Sequence, residues 1–162
     1  MRISGNEPTI CREHLISVLE LIPEDALFIL ETNGILIGSD PSYAKDLSRF
    51  LNVHVRISLK GTCEEEFSRL TGSVPEGFQL QLSAIENLMR HGVKTGPACM
   101  VSFSPPENVM RLGRRLRAIH PDLEDFEKEE LILYPAVEER LRKFGIKYFT
   151  AYRPERIPKE QI

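Results

Sequence analysis

The sequence predicts an α/β fold on a parallel sheet, and three observations carry that reading. Five short strand-like runs alternate with segments whose apolar residues recur at helical spacing. The run from Val53 to Lys60 alternates apolar and polar residues without a break. Helix-starting and helix-stopping residues fall at the junctions, among them Asp40-Pro41 and His91-Gly92.

The elements follow in order. Residues 2 to 8, Arg-Ile-Ser-Gly-Asn-Glu-Pro, read as the end of a buried strand entering a Gly-containing loop. A helix pattern runs from Cys11 to about Ile22 on Leu15, Val18, Leu19 and Ile22, and Pro23 ends it. Ala26 to Leu30 is a short apolar run closed by Glu31-Thr32-Asn33-Gly34. Asp40 is the expected N-cap of the next helix and Pro41 its first residue. Val53 to Lys60 is a strand, and a short helix is expected near Glu64 to Leu70. Glu64-Glu65-Glu66 forms its first turn, where acids suit the helix dipole. A helix at Leu80 to Arg90, a strand at Val93 to Phe103 and a helix from Ser104-Pro105-Pro106-Glu107 to Ile119 come next. Glu124 to Glu130 reads as an acidic loop, Leu131 to Tyr134 as the fifth strand and Ala136 to Phe144 as the last helix. Residues 1–146 then form one domain, and 147–162 an irregular C-terminal tail carrying Pro154 and Pro158.

Composition narrows the function. The 162 residues are 41% apolar and 28% charged, in the range of a single globular domain. A net charge of −3 argues against nucleic acid or an acidic membrane as partner. No apolar run reaches the roughly 18–20 residues that span a bilayer, and no secretory signal precedes the first strand, so the expected location is the cytoplasm. Cys11, Cys63 and Cys99 are odd in number, far apart and without a CxxC pair, which points to reduced structural thiols. His14, His54, His91 and His120 have no metal-ligand spacing, and no Ser-His-Asp arrangement is legible. Arg111, Arg114, Arg115 and Arg117 read as a solvated helix face.

The strand Val53 to Lys60 carries the functional signal. Val53, Val55, Ile57 and Leu59 lie on one face, and His54, Arg56, Ser58 and Lys60 on the other. A parallel strand covered on both faces would be apolar throughout. A polar face suits either a barrel wall turned to a lumen or an edge strand with one wet face. Inside a lumen, Arg56 and Lys60 need an anionic partner, and a carboxylate or phosphate ligand would supply it. Glu7 and Glu31 close the first two strands, at the end where parallel α/β folds place their sites. Two carboxylates and two cations on one rim match a ligand with both an amino and a carboxylate group.

These residues resemble a family. Gly5-Asn6-Glu7-Pro8 after a first strand is similar to the GGEP motif of radical S-adenosylmethionine (radical SAM) enzymes. Glu31-Thr32-Asn33-Gly34 resembles the D/E-T-N-G segment on their next strand, and Arg56 to Lys60 the strand after it in the glycyl-radical activating enzymes. The resemblance runs from Arg2 to about Leu141. It implies a partial (β/α) barrel and a bound S-adenosylmethionine. Gly5, Asn6, Glu7 and Pro8 would hold the methionyl amino group, assisted by Glu31 in the segment that includes Asn33. Lys60 and Ser58, on the strand that carries Arg56, would meet the carboxylate or ribose. Residues 96–102 would lie near the adenine, and Tyr134-Pro135 at the end of the last barrel strand.

Two departures shape the expectation. Asn6 replaces the second glycine of GGEP; Asn accepts left-handed backbone better than other side chains do. The CxxxCxxC loop that binds the family's 4Fe–4S cluster, on the first βα unit, is absent from this chain. Cys11, Cys63 and Cys99 cannot replace it, because cluster thiolates must converge. The chain is therefore expected to lack that unit, as a truncated or split member, a degenerate one, or half of a two-chain barrel, and to be inactive alone. It would cleave S-adenosylmethionine only with the missing part. The alternatives are a cluster-free nucleotide- or SAM-binding module, or an interaction protein that self-associates through its unpaired first strand. The substrate is not legible.

Overall fold

A computed structural model describes residues 1–158; the last four residues of the expected tail, 159–162, lie outside the described residues. Five parallel strands form one open sheet in the order β1-β2-β3-β4-β5. They are β1 (Arg2–Ile3), β2 (Phe28–Thr32), β3 (Val53–Lys60), β4 (Lys94–Met100) and β5 (Glu127–Glu129). The helices are α1 (Arg12–Glu20), α2 (Ile35–Ser39), α3 (Pro41–Leu47), α4 (Glu64–Thr71), α5 (Glu76–Arg90), α6 (Pro106–Ile119) and α7 (Pro135–Lys143). Strand order that follows the chain without reversal is that of a barrel wall; a doubly wound sheet reverses at a switch point.

The core explains why only one face is helix-covered. Val53, Val55, Ile57 and Leu59 are buried with Phe28 and Leu30 against Phe78, Ile85 and Leu88 of α5 and Leu112 and Leu116 of α6. His54, Arg56, Ser58 and Lys60 on the opposite face stay half-buried. This is the lumen side of an incomplete barrel. Among the described residues no helix is long and apolar enough to cross a membrane.

Local chemistry sets the boundaries. Asp40 caps α3, its Oδ1 accepting from the Ser42 amide at 2.9 Å, and Arg12 on α1 pairs with Asp40 and Asp46 at 2.9 and 2.8 Å. Three elements differ from the sequence expectation. α2 forms over 35–39, where the sequence predicts no element, opened by Asn33 Oδ1 accepting from the Ile35 amide. The acidic segment expected as a loop contains β5, and the apolar run from Leu131 to Tyr134 forms only a bridge between Ile132 and Tyr152. The reason is charge: Glu127 and Glu129 face a guanidinium on β3, so an acidic strand is the one that fits. The tail is also less irregular than expected. Its Phe149 amide donates to the Ser102 carbonyl, and the Leu133 amide to the Tyr152 carbonyl.

Candidate functional site

The expected residues meet the structure at three levels on the lumen side. The first is the rim at the C-terminal ends of β1 and β2. Gly5 and Asn6 take positive φ, +89° and +49°, and Asn6 is the one non-glycine residue among those described to do so. The backbone therefore takes a left-handed turn at Gly5-Asn6. Glu7 turns inward. Its Oε1 accepts from the Thr9 amide (3.1 Å), the Thr9 hydroxyl (2.6 Å) and the Thr32 hydroxyl (2.6 Å), and its Oε2 from the Asn33 amide (2.7 Å). Glu7 thus fastens the first rim loop to the second, and Pro8 opens the short 3-10 turn that it caps.

The second level is an ionic row across the sheet. Arg56 donates from Nη1 to Glu31 (2.9 Å), from Nε and Nη2 to Glu127 (2.9 and 2.6 Å) and from Nη2 to Glu129 (2.8 Å). Arg2 on β1 pairs with Glu31 from the other side. The anionic partners that a lumen-facing Arg56 needs are thus supplied by the chain itself. The bonds from Glu127, opposed by burial and joined by Glu129, raise the Arg56 pKa further above its ordinary value, and the Arg56 bond holds Glu127 below its own. Arg56 can reach β5 because β4, between them, presents Gly96 and Ala98 on this face. β3 and β5 are roughly 10 Å apart across β4, and a long side chain there would bar the way.

The third level is the rim at the end of β3. Lys60 Nζ donates to Ser58 Oγ at 3.1 Å and makes no ion pair among the described residues. It is a half-buried ammonium without a counter-ion among the described residues.

Two supports escaped the sequence reading. Gln81 on α5 is fully buried, and its Nε2 donates to the carbonyls of Asn33 (2.7 Å) and Ser58 (3.1 Å), tying β2 to β3 beneath the rim. Its signal was an amide between Phe78, Leu82 and Ile85 on an apolar helix face. Glu66, read as a first-turn acid, is 7% exposed. It accepts from the Thr62 amide (2.8 Å), the Thr62 hydroxyl (2.7 Å), Ser104 (2.5 Å) and Asn108 (2.8 Å), joining the loop after β3 to the loop after β4. Burial opposes its ionisation, but bonds from Ser104, Thr62 and Asn108 win and hold its carboxyl below the ordinary range. Gly61 permits this: it has φ +83°, and a Cβ there would stand 2.7 Å from Glu66 Cβ.

Cys11 is exposed, Cys63 partly covered and Cys99 buried, its thiol pushed up to about 12 by burial. Among the described residues no three His, Cys, Asp or Glu side chains converge as metal ligands.

No family model and no curated protein matches the sequence. Solved structures do match. Streptococcus suis SuiB bound to S-adenosylmethionine superposes with a TM-score of 0.63 at 16% identity, over 94% of this chain and 36% of SuiB. Native anSMEcpe with bound AdoMet and Cp18Cys peptide gives 0.58 at 24% identity, over 83% of this chain and 38% of that one. Both are radical SAM enzymes, so the fold is the radical SAM partial barrel. The chain spans little more than a third of either protein's length.

Proposed function

We propose that this chain is the S-adenosylmethionine-holding part of a radical SAM-type enzyme whose cluster-binding unit lies outside the sequence, on a longer or a second polypeptide. The observation that carries the proposal is Lys60, an ammonium without a counter-ion at the end of the central strand. Its charge suits the methionyl carboxylate. The left-handed turn at Gly5-Asn6 supports a role for the Gly5–Pro8 backbone toward the amino group. Glu7, Asn33 and Gln81 hold that rim in shape through their own hydrogen bonds. Glu31 and Arg56 belong to the ionic row and form the floor beneath the ligand.

The chain does not fit the 4Fe–4S cluster on which cleavage in this family depends. Its three cysteines stand apart, and thiolates must meet at one site to hold a cluster. No cleavage step is therefore assigned to it. The same fact favours a second reading, in which the chain acts as a cluster-free binding module.

Calorimetry with S-adenosylmethionine tests the shared premise. Wild type binds, and Lys60→Ala weakens binding about 10- to 100-fold, the worth of one charge-assisted hydrogen bond. Equal affinity in the two proteins rules out both readings. Adding a polypeptide that carries CxxxCxxC, then reconstituting iron and sulfide, separates them. A brown complex with charge-transfer absorbance favours the split enzyme; its failure with binding intact leaves the module.

A further inference from the structure

A cleft of about 760 Å3 lies at the N-terminal end of the sheet, away from the rim. His54 opens β3 and Lys60 closes it, so the two sites are about 20 Å apart along one strand. Arg2, Arg56 and Glu127 line the inner wall of the cleft, so the ionic row separates it from the rim. The volume is that of a small-molecule site.

Three features define what it would take. First, the His54 ring makes no hydrogen bond and Lys94 no ion pair among the described residues, and both line the cleft. Second, Gly96 keeps this wall open: a Cβ there would stand 3.3 Å from His54 Nε2. Third, β5 pairs with β4 only from Ala98 onward, so Lys94–Pro97 border the cleft with no strand on that side. Apolar side chains complete it, Val93 and Met89 beside β4, Leu123 and Phe126 opposite. Asp122 and Asp125 stand on the outer lip.

We propose that this cleft is a second binding site, for a small organic anion with an apolar body. The anionic group sits between His54 and Lys94, and the apolar body lies against Leu123 and Phe126. The charges of Arg2 and Arg56 are already matched by glutamates, so Lys94 supplies the attraction and the His54 ring a hydrogen-bond partner. The outer aspartates turn the anionic end inward.

The test is a nuclear magnetic resonance titration of the full chain with two probes, benzoate and inorganic phosphate. Benzoate shifts the His54 ring and Lys94 signals saturably and leaves Lys60 unmoved. Lys94→Ala, on an exposed side chain, weakens benzoate at least tenfold with an unchanged melting temperature. Gly96→Ala, which moves the ring, weakens it as well. The proposal is overturned by an absence of saturation up to about 10 mM, the weak limit for a site of this kind. It is equally overturned by unchanged affinity in Lys94→Ala, or by phosphate binding as well as benzoate, which would mean bare charge attraction without an apolar wall.

Discussion

Glu66 on α4 and Arg56 on β3 show two ways of keeping a charge inside one fold. Glu66 is 7% exposed and has no cation. Four neutral donors satisfy it: the amide and hydroxyl of Thr62, the Ser104 hydroxyl and the Asn108 side-chain amide of α6. The Arg56 side chain is 14% exposed and is matched by three carboxylates on β2 and β5. The first arrangement is compact and depends on loop geometry. The second is long, partly wet and redundant, because losing one glutamate leaves two. Removing the centre of the neutral cage should therefore cost more than removing the centre of the ionic row.

Glu66→Ala leaves the Thr62 amide, Ser104 and Asn108 without their acceptor, and should lower stability by about 3–4 kcal/mol in urea melts. A loss below that of Arg56→Met would reverse the comparison. Arg56→Met should cost about 2 kcal/mol, because three glutamates are then left facing one another on a partly hydrated face. Adding Glu127→Gln to Arg56→Met should recover part of it. Ala98→Leu places a branched side chain under Arg56 at a fully buried position, and about 1–3 kcal/mol should be lost. In a double-mutant cycle it should show coupling to Glu127→Gln. At the low end, Arg117→Ala breaks only an exposed pair with Glu124 and should change stability by less than about 0.5 kcal/mol.

Acid sharpens the contrast. The carboxyl of Glu66 titrates below its unfolded range, so the folded state binds fewer protons there. Its contribution is complete above the unfolded carboxylate pKa of about 4.3 and disappears as pH falls through the lower folded value. The urea midpoint of wild type should therefore drop below about pH 4.3, and Glu66→Gln should flatten that limb. An equally steep acid limb in Glu66→Gln would assign the loss to the other carboxyls held low, Glu127 in the ionic row, Glu64 beside Arg115 and Asp40 at the α3 cap.

Legibility in the sequence followed the range of the interactions. β3 was read to its end residues, because strict alternation is a local signal and the buried face needs nothing more. The Asp40-Pro41 cap and the left-handed tolerance of Asn6 are equally local. β5 was not legible: three charged residues look like a loop until Arg56 is seen reaching across β4. Leu131 to Tyr134 misled for the converse reason, since an apolar run suggests a strand whether or not a neighbour is available. Glu7 was placed at the correct rim, but its direction, inward to Thr9, Thr32 and Asn33, depends on a loop 25 residues away.

What the sequence determined by itself was the α/β class, the period of β3 and of the longer helices, the polar lumen face and the rim on which Glu7 and Lys60 fall. Those rest on neighbours a few positions apart. Tertiary structure alone decided which charges are spent and which are free. Arg56 is consumed by carboxylates 71 and 73 residues distant, whereas Lys60, four positions further along the same strand, finds only Ser58. The physical reason is that the interaction of two charges depends on their separation in space and on the dielectric around them, and neither is written in the order of residues along a chain.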